Sequence, residues 1–219
     1  MNIIEKKIYE DGEPYYFNTE KDEKYGEIVG AVAWPETKEG VLMIAAVDLF
    51  ESIELEARHM RVLAEANESD MNVFLKHALE LQRHFSPFME TIRFYGDTSS
   101  LAMMEVLDRF NRDRRFRGLH PFYLTEAPQL KDPNKLAFYA KLITQYTRPG
   151  RKTLHFCDTA LPSYLVGLSP NEISENVFEH PPVAALGYAL AVLSTWRPRK
   201  GQKRSEKGET KIIANASVS

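Results

Sequence analysis

Hydrophobic and polar positions along the first half of the chain predict strands followed by helices. Runs of bulky apolar residues bounded by turn residues predict four strands: 3–9, 14–18, 27–34 and 41–50. The last two are joined by a short, turn-rich link, which indicates an antiparallel hairpin. Apolar residues at helical spacing then predict two helices, over 52–66 and 71–85.

The second half of the chain alternates strands with helices. The predicted strands are 91–96 and 121–126, and the predicted helices cover about 100–112, 132–147 and 182–196. A short apolar run over 153–156 lies between the last two helices. Antiparallel strands come first and β-α units follow. This order predicts an α/β fold whose mixed sheet is flanked by helices.

Composition indicates one globular domain. The chain has 219 residues, of which 43% are hydrophobic and 27% are charged, and its net charge is -3. We predict a single domain over 1–197 and a basic, flexible tail over 198–219. The single cysteine, Cys157, excludes an intrachain disulfide, and no apolar run has the length of a signal core or membrane span. These features favour a cytoplasmic protein with no membrane partner.

The strongest chemical signal is a strand that ends in an aspartate and leads into a helix. Residues 92–100 read IRFYGDTSS, so the strand ends at Gly96 and Asp97 follows it. The next three residues offer hydroxyl oxygens that suit a helix N-terminus. Open α/β sheets bind ligands and metals at the carboxyl ends of their strands, which makes Asp97 the first candidate for chemistry.

Three segments together resemble the nuclease domain of phage terminase large subunits, which has an RNase H-like fold. They are the strand at 15–19 with its following hairpin, the FYGDTSS turn, and the run from Ala184 to Leu190. The resemblance covers about residues 14–196. It implies a phage or prophage protein that binds DNA, cleaves it with Mg²⁺ or Mn²⁺ held by clustered carboxylates, and works with other phage packaging proteins.

Two positions depart from the acids that the resemblance implies. Asn18 aligns with the first catalytic aspartate and Ala184 with the last, so only Asp97 matches. The catalytic candidates are therefore Asp97, which matches the resemblance, Asn18 at the first aligned position, and Glu179 as a substitute acid. The metal-ligand candidates are Asp97, Asp48, Glu179 and His180, with Asp22 as a further acid.

Two alternatives to a nuclease remain open at this point. One is a catalytically inactive RNase H-like module that serves binding or assembly. The other is an unrelated α/β domain whose motif matches arise by chance. No glycine-rich phosphate-binding loop occurs in the sequence, which excludes an ATPase motor in this chain.

A cluster of five arginines within residues 109–117 predicts a DNA-contacting surface. The cluster consists of Arg109, Arg112, Arg114, Arg115 and Arg117. Phe110 and Phe116 lie among them. The alternative is a solvated helix C-terminus, where cations complement the helix dipole.

Overall fold

The computed structural model describes residues 4–8, 14–35, 38–49, 59–86, 91–128, 130, 135–147, 153–156, 165, 171–172 and 179–197. Its elements, in chain order, are β1 (Ile4–Ile8), β2 (Pro14–Asn18), β3 (Glu23–Ala33), β4 (Gly40–Asp48), β5 (His59–Glu68), α1 (Met71–Phe85), β6 (Phe94–Gly96), α2 (Leu101–Phe116), β7 (Leu124–Glu126), α3 (Lys135–Thr147), β8 (Leu154–Phe156) and α4 (Pro181–Leu193).

The strands form one mixed sheet. β1 to β4 each pair antiparallel with the strand that follows in the chain, and β8 pairs parallel with β5. On the other side, β6 pairs parallel with β3, and β7 pairs parallel with β6. β3 therefore has β4 along one edge, while β2 and β6 share its other edge. The predicted α/β class with a mixed sheet is confirmed.

Helices cover both faces of this sheet. α3 and α4 share a core with Val29, Ala31 and Ala33 of β3. The opposite face of β3, with Ile28 and Val32, shares a core with α1 and α2. Burial on both faces explains why β3 and β4 appear in the sequence as nearly continuous apolar runs.

Most predicted elements occur with shifted ends. The hairpin of β3 and β4 is confirmed, as is the helix over 71–85. Asp70 caps that helix, because its carboxylate accepts the backbone N–H groups of Asn72 and Val73 at 2.9 Å each. The strand predicted over 91–96 pairs only from Phe94 onward. No helix in the described ranges is long and apolar enough to cross a bilayer, and the predicted tail over 198–219 lies outside those ranges.

The helix predicted over 52–66 is wrong where the structure describes it. Residues 59–68 form β5, which pairs with β4 along its whole length, while 52–58 lie outside the described residues. Leu63 is an extra residue in a β-bulge, since Val62 pairs with Ala45 and Ala64 pairs with Ile44. The bulge reverses the alternation, so that Met60 and Val62 face one core while Ala64 and Ala66 face the other.

Candidate functional site

Asp97 directly follows β6, at the carboxyl end of the strand. Its Oδ1 accepts the backbone N–H of Ser99 at 2.8 Å, which turns the chain toward α2. Its carbonyl oxygen accepts the indole N–H of Trp34 at 2.7 Å. A β-carbon on the preceding Gly96 would lie 2.6 Å from the carbonyl oxygen of Val32, so only glycine allows β6 to approach β3 this closely.

A second acid, Glu126, ends the neighbouring parallel strand β7. It lies opposite Gly96 in the register, and the N–H of Ala127 donates to the Gly96 carbonyl at 2.9 Å. Parallel strands end at the same edge of a sheet, so Asp97 and Glu126 share this edge. Glu126 was not among the predicted site residues, and its only sequence signal is that it ends a strand that follows a helix.

Tyr139 of α3 lies within the electrostatic influence of both acids. Burial raises the pKa of its hydroxyl, and the negative charges of Asp97 and Glu126 raise it further. The hydroxyl donates to the carbonyl oxygen of Pro128 at 2.5 Å. We call Asp97, Glu126 and Tyr139 the carboxyl-edge group. No sequence pattern pointed to Tyr139, because only the packing of α3 on the sheet brings it there.

Glu179 and His180 lie where the chain enters α4. His180 is the N-cap residue of that helix, and the carbonyl oxygen of Glu179 accepts the ammonium of Lys38 at 2.6 Å. Lys38 belongs to the link between β3 and β4, so the start of α4 is held at the carboxyl end of β3. This is also the end of the sheet that carries Asp97.

Asn18 does not lie near Asp97. It faces Glu23 at the start of β3, whereas Gly96 faces Val32 near the end of that strand. Nine residues of β3 separate the two points, or about 30 Å at the usual rise of a strand. The strand beside β6 is β3 itself, and the residues that follow Val32 are Ala33 and Trp34. Neither supplies an acid.

Asn18 instead organises the turn between β2 and β3. Its side-chain oxygen accepts the backbone N–H groups of Glu20 at 3.0 Å and Lys21 at 3.1 Å. Its amide donates to the hydroxyl of Tyr25 at 3.4 Å. The left-handed backbone of Asp22, with φ of 53°, completes this turn. Asn18, which the terminase resemblance aligned with the first catalytic aspartate, thus serves the geometry of this turn in the structure.

Asp48 is paired with an arginine at the end of the sheet remote from Asp97. Arg61 donates through Nε to the Asp48 carboxylate at 2.5 Å, and its NH1 lies 3.5 Å from the carboxylate of Glu23. Tyr25 in turn donates to Glu23. Asp48 is only 4% exposed, so this ion pair compensates for the removal of its charge from water.

The described acids do not fit the two-metal site that the resemblance implies. Among the described residues, no group of three His, Cys, Asp or Glu side chains is arranged to hold a metal ion. Asp97 and Glu126 are too few, because each hard divalent ion takes several oxygen ligands. Ala184, at the position of the last expected acid, is buried in the core beside α3.

The arginine cluster occupies the C-terminal half of α2. Arg109, Arg112, Arg115 and Arg117 are exposed, and Arg114 is partly buried. The helix starts just after Asp97 and is 16 residues long, so its C-terminal end lies about 24 Å from its start. The cluster therefore lies at the opposite end of the sheet from the carboxyl-edge group.

Two members of the cluster have partners within the protein. Arg114 donates to the carbonyl oxygen of His120 at 2.7 Å, and Arg117 lies 3.2 Å from the carboxylate of Asp113. Partial burial lowers the pKa of Arg114, and the cation of Arg83 lowers it further. Arg83, at the end of α1, thus extends the positive surface, a contribution that sequence analysis missed.

Comparison with known proteins identifies no relative of this chain: no family model, curated protein or solved structure matches it.

Proposed function

We propose that this chain is an RNase H-like domain that binds DNA through the C-terminal end of α2. The strand order supports the fold, since β5, β4 and β3 form an antiparallel series that parallel strands β6 and β7 continue. Helices on both faces fit the same arrangement. In this proposal the β1–β2 hairpin and β8 are additions to the core. A phage or prophage packaging context is the setting that the terminase resemblance implies.

The observation that carries the DNA-binding proposal is the exposed mixture of cations and apolar side chains at this end of α2. Arg109, Arg112 and Arg115 point to solvent, next to a Phe116 side chain that is 92% exposed. Leu119 and Tyr123, also exposed, follow in the same segment. Arginines neutralise phosphates, and exposed aromatic side chains offer surfaces for bases and sugars. A solvated helix end needs the charges but gains nothing from exposing phenylalanine.

DNA cleavage is not part of the proposal. Ala33 and Trp34 follow the β3 residues that pair with β6, and Ala184 occupies the first turn of α4. A two-metal hydrolase would need carboxylates at such places to hold its ions. The carboxyl-edge group provides two acids near one tyrosine, which is a different donor set.

Fluorescence anisotropy with a short labelled duplex tests binding. We expect saturable binding that weakens as salt rises, with a linear dependence of log affinity on log salt concentration. Affinity that is absent at low salt, or unaffected by salt, would remove the proposal.

A plasmid assay with Mn²⁺ separates the binding module from a nuclease. We expect the supercoiled plasmid to remain intact with the wild-type protein. Cleavage that Asp97→Asn abolishes, and that Glu80→Gln, a change of an exposed acid on α1, leaves unchanged, would instead establish a metal-dependent nuclease centred on Asp97.

A further inference from the structure

A cleft opens where β3 changes partners along one edge. β2 pairs with residues 23–25 of β3, and β6 pairs with residues 30–32. The four residues between them, 26–29, lie beyond the reach of both strands on this edge. The cleft has a volume of about 560 Å³ and reaches both faces of the sheet, since Ile28 and Val29 belong to opposite cores. Its size falls within the range of small-ligand pockets.

Aromatic side chains form much of the wall of this β3 cleft. Tyr16 comes from β2, Tyr95 from β6, and Trp196 from the segment that follows α4. The indole of Trp196 sits against Gly26, where a β-carbon would lie 2.3 Å from its Cζ2 atom. Glycine at this position therefore makes room for the indole beside β3, and all three aromatic residues remain partly exposed.

The floor of the cleft provides hydrogen-bonding groups. The N–H of Gly30 donates to the carbonyl of Arg93 at 2.8 Å, so the polar backbone groups of Gly30 face the β6 edge. Strand alternation places the N–H and C=O of Ile28 on the same edge, inside the gap. One donor and one acceptor side by side match the edge of a nucleobase. Glu27 and Arg93 add one charge of each sign to the lining.

The β3 cleft and the arginine cluster lie at the same end of the sheet. The cleft opens beside Thr91 and Arg93, which lead into β6. The arginine cluster precedes β7, the parallel neighbour of β6, and adjacent strands lie about 4.8 Å apart. The two features therefore share this end of the sheet, with Trp196 packed on the core of α3 and α4 and α2 packed on the opposite core.

We infer that the β3 cleft receives an unpaired nucleobase, which stacks on Trp196 and bonds to the backbone of β3 at Ile28. The inference rests on the proposed DNA binding and adds a preference for single strands. A paired base is stacked within its duplex and cannot enter the cleft without being unpaired. Stacking on aromatic side chains tolerates every base, so we expect little dependence on sequence.

Tryptophan fluorescence tests the inference directly. The chain has two tryptophans, so Trp34→Phe leaves Trp196 as the only one. We expect a thymidine oligonucleotide to quench Trp196, and a blunt duplex of equal length to leave its emission unchanged. Removing the stacking surface with Trp196→Ala should weaken single-strand binding by roughly ten-fold and leave duplex affinity unchanged. Trp196→Phe should restore most of the loss.

The outcomes separate this inference from the proposed function. If neither oligonucleotide binds, both fail. If the duplex binds but the single strand neither quenches Trp196 nor depends on it, only the cleft inference fails. Thr91→Leu, which enlarges an exposed side chain at the mouth of the cleft without adding a stacking surface, gives a second check when Trp196→Ala does not fold. It should weaken single-strand binding alone, and equal affinity with the wild type would overturn the inference.

Discussion

The indole N–H of Trp34 donates a 2.7 Å hydrogen bond to the backbone carbonyl of Asp97, which joins the ends of two parallel neighbours, β3 and β6. The bond fixes the turn that presents the Asp97 carboxylate. It also explains a tryptophan directly after a buried strand, where the indole can pack against Phe74 with ring centroids 5.9 Å apart.

Trp34→Phe should keep the ring packing and remove only this bond. The Asp97 carbonyl then loses its donor in a partly buried position, so we expect a loss of about 1–2 kcal/mol in the free energy of unfolding. Urea denaturation measures the change. If the denaturation midpoint and the slope are both unchanged, the hydrogen bond makes no net contribution to the free energy of unfolding.

The arginine cluster gives a prediction about DNA affinity and its salt dependence. Arg112→Gln combined with Arg115→Gln should weaken duplex binding. It should also reduce the slope of log affinity against log salt by about one for each phosphate that the variant no longer neutralises. The matched control is Lys141→Gln, an exposed cation on α3 on the other face of the sheet. An equal effect from the control would mean that only net charge matters.

The raised pKa of Tyr139 predicts that the folded protein loses stability in alkaline solution. Its pKa in the folded protein is raised above the ordinary tyrosine value of 10.0, so above that pH the unfolded chain releases this proton more readily than the native one. The stability it contributes is complete below pH 10 and declines as pH rises toward the folded pKa. Denaturation curves collected across this range should show the decline.

Tyr139→Phe should flatten that alkaline decline and cost about 1 kcal/mol at neutral pH, because the bond to Pro128 is removed. Some pH dependence should persist, because burial also raises the pKa of Tyr15. An identical alkaline profile in Tyr139→Phe and the wild type would contradict the assignment.

The ion pair of Asp48 and Arg61 predicts a strong asymmetry between single and double variants. Arg61→Met leaves the buried Asp48 carboxylate without its closest cation, so we expect a loss of about 3 kcal/mol. Asp48→Leu together with Arg61→Met should cost much less than the sum of the single changes. Thermal unfolding of the four proteins completes the double-mutant cycle.

The pair of Glu5 and Lys7, 3.5 Å apart with the Glu5 side chain 55% exposed, provides the control for this cycle. Glu5→Gln should change stability by less than about 0.5 kcal/mol, because solvent already screens that interaction. If disrupting either ion pair lowered the free energy of unfolding by a similar amount, burial of Asp48 would not be the source of the asymmetry.

The sequence was sufficient to predict elements whose pattern is local. β3 and β4 were predictable because long apolar runs with a short turn between them have few alternatives to a buried hairpin. β5 was not, since the bulge at Leu63 is specified by pairing with β4 and not by neighbours in sequence. The later start of β6, at Phe94 instead of the predicted residue 91, has a similar cause, because pairing with β3 begins only there.

The candidate site was predictable only in part for the same reason. A strand followed by Gly-Asp and hydroxyl residues located Asp97 from local pattern alone. Glu126 and Tyr139 join it through strand order and helix packing, which no short motif encodes. Asn18 was misleading because a polar residue after a strand gives no information about which strand lies next to β6.

The gap between β2 and β6 along β3 has a consequence for the solubility of the protein. An open strand edge is a template on which another chain can add and begin to aggregate. This edge is only four residues long, it ends against β2 on one side and β6 on the other, and the indole of Trp196 stands over Gly26. A second polypeptide strand cannot lie along it without displacing these neighbours. The gap can therefore stay open to a small planar ligand while it remains closed to self-association.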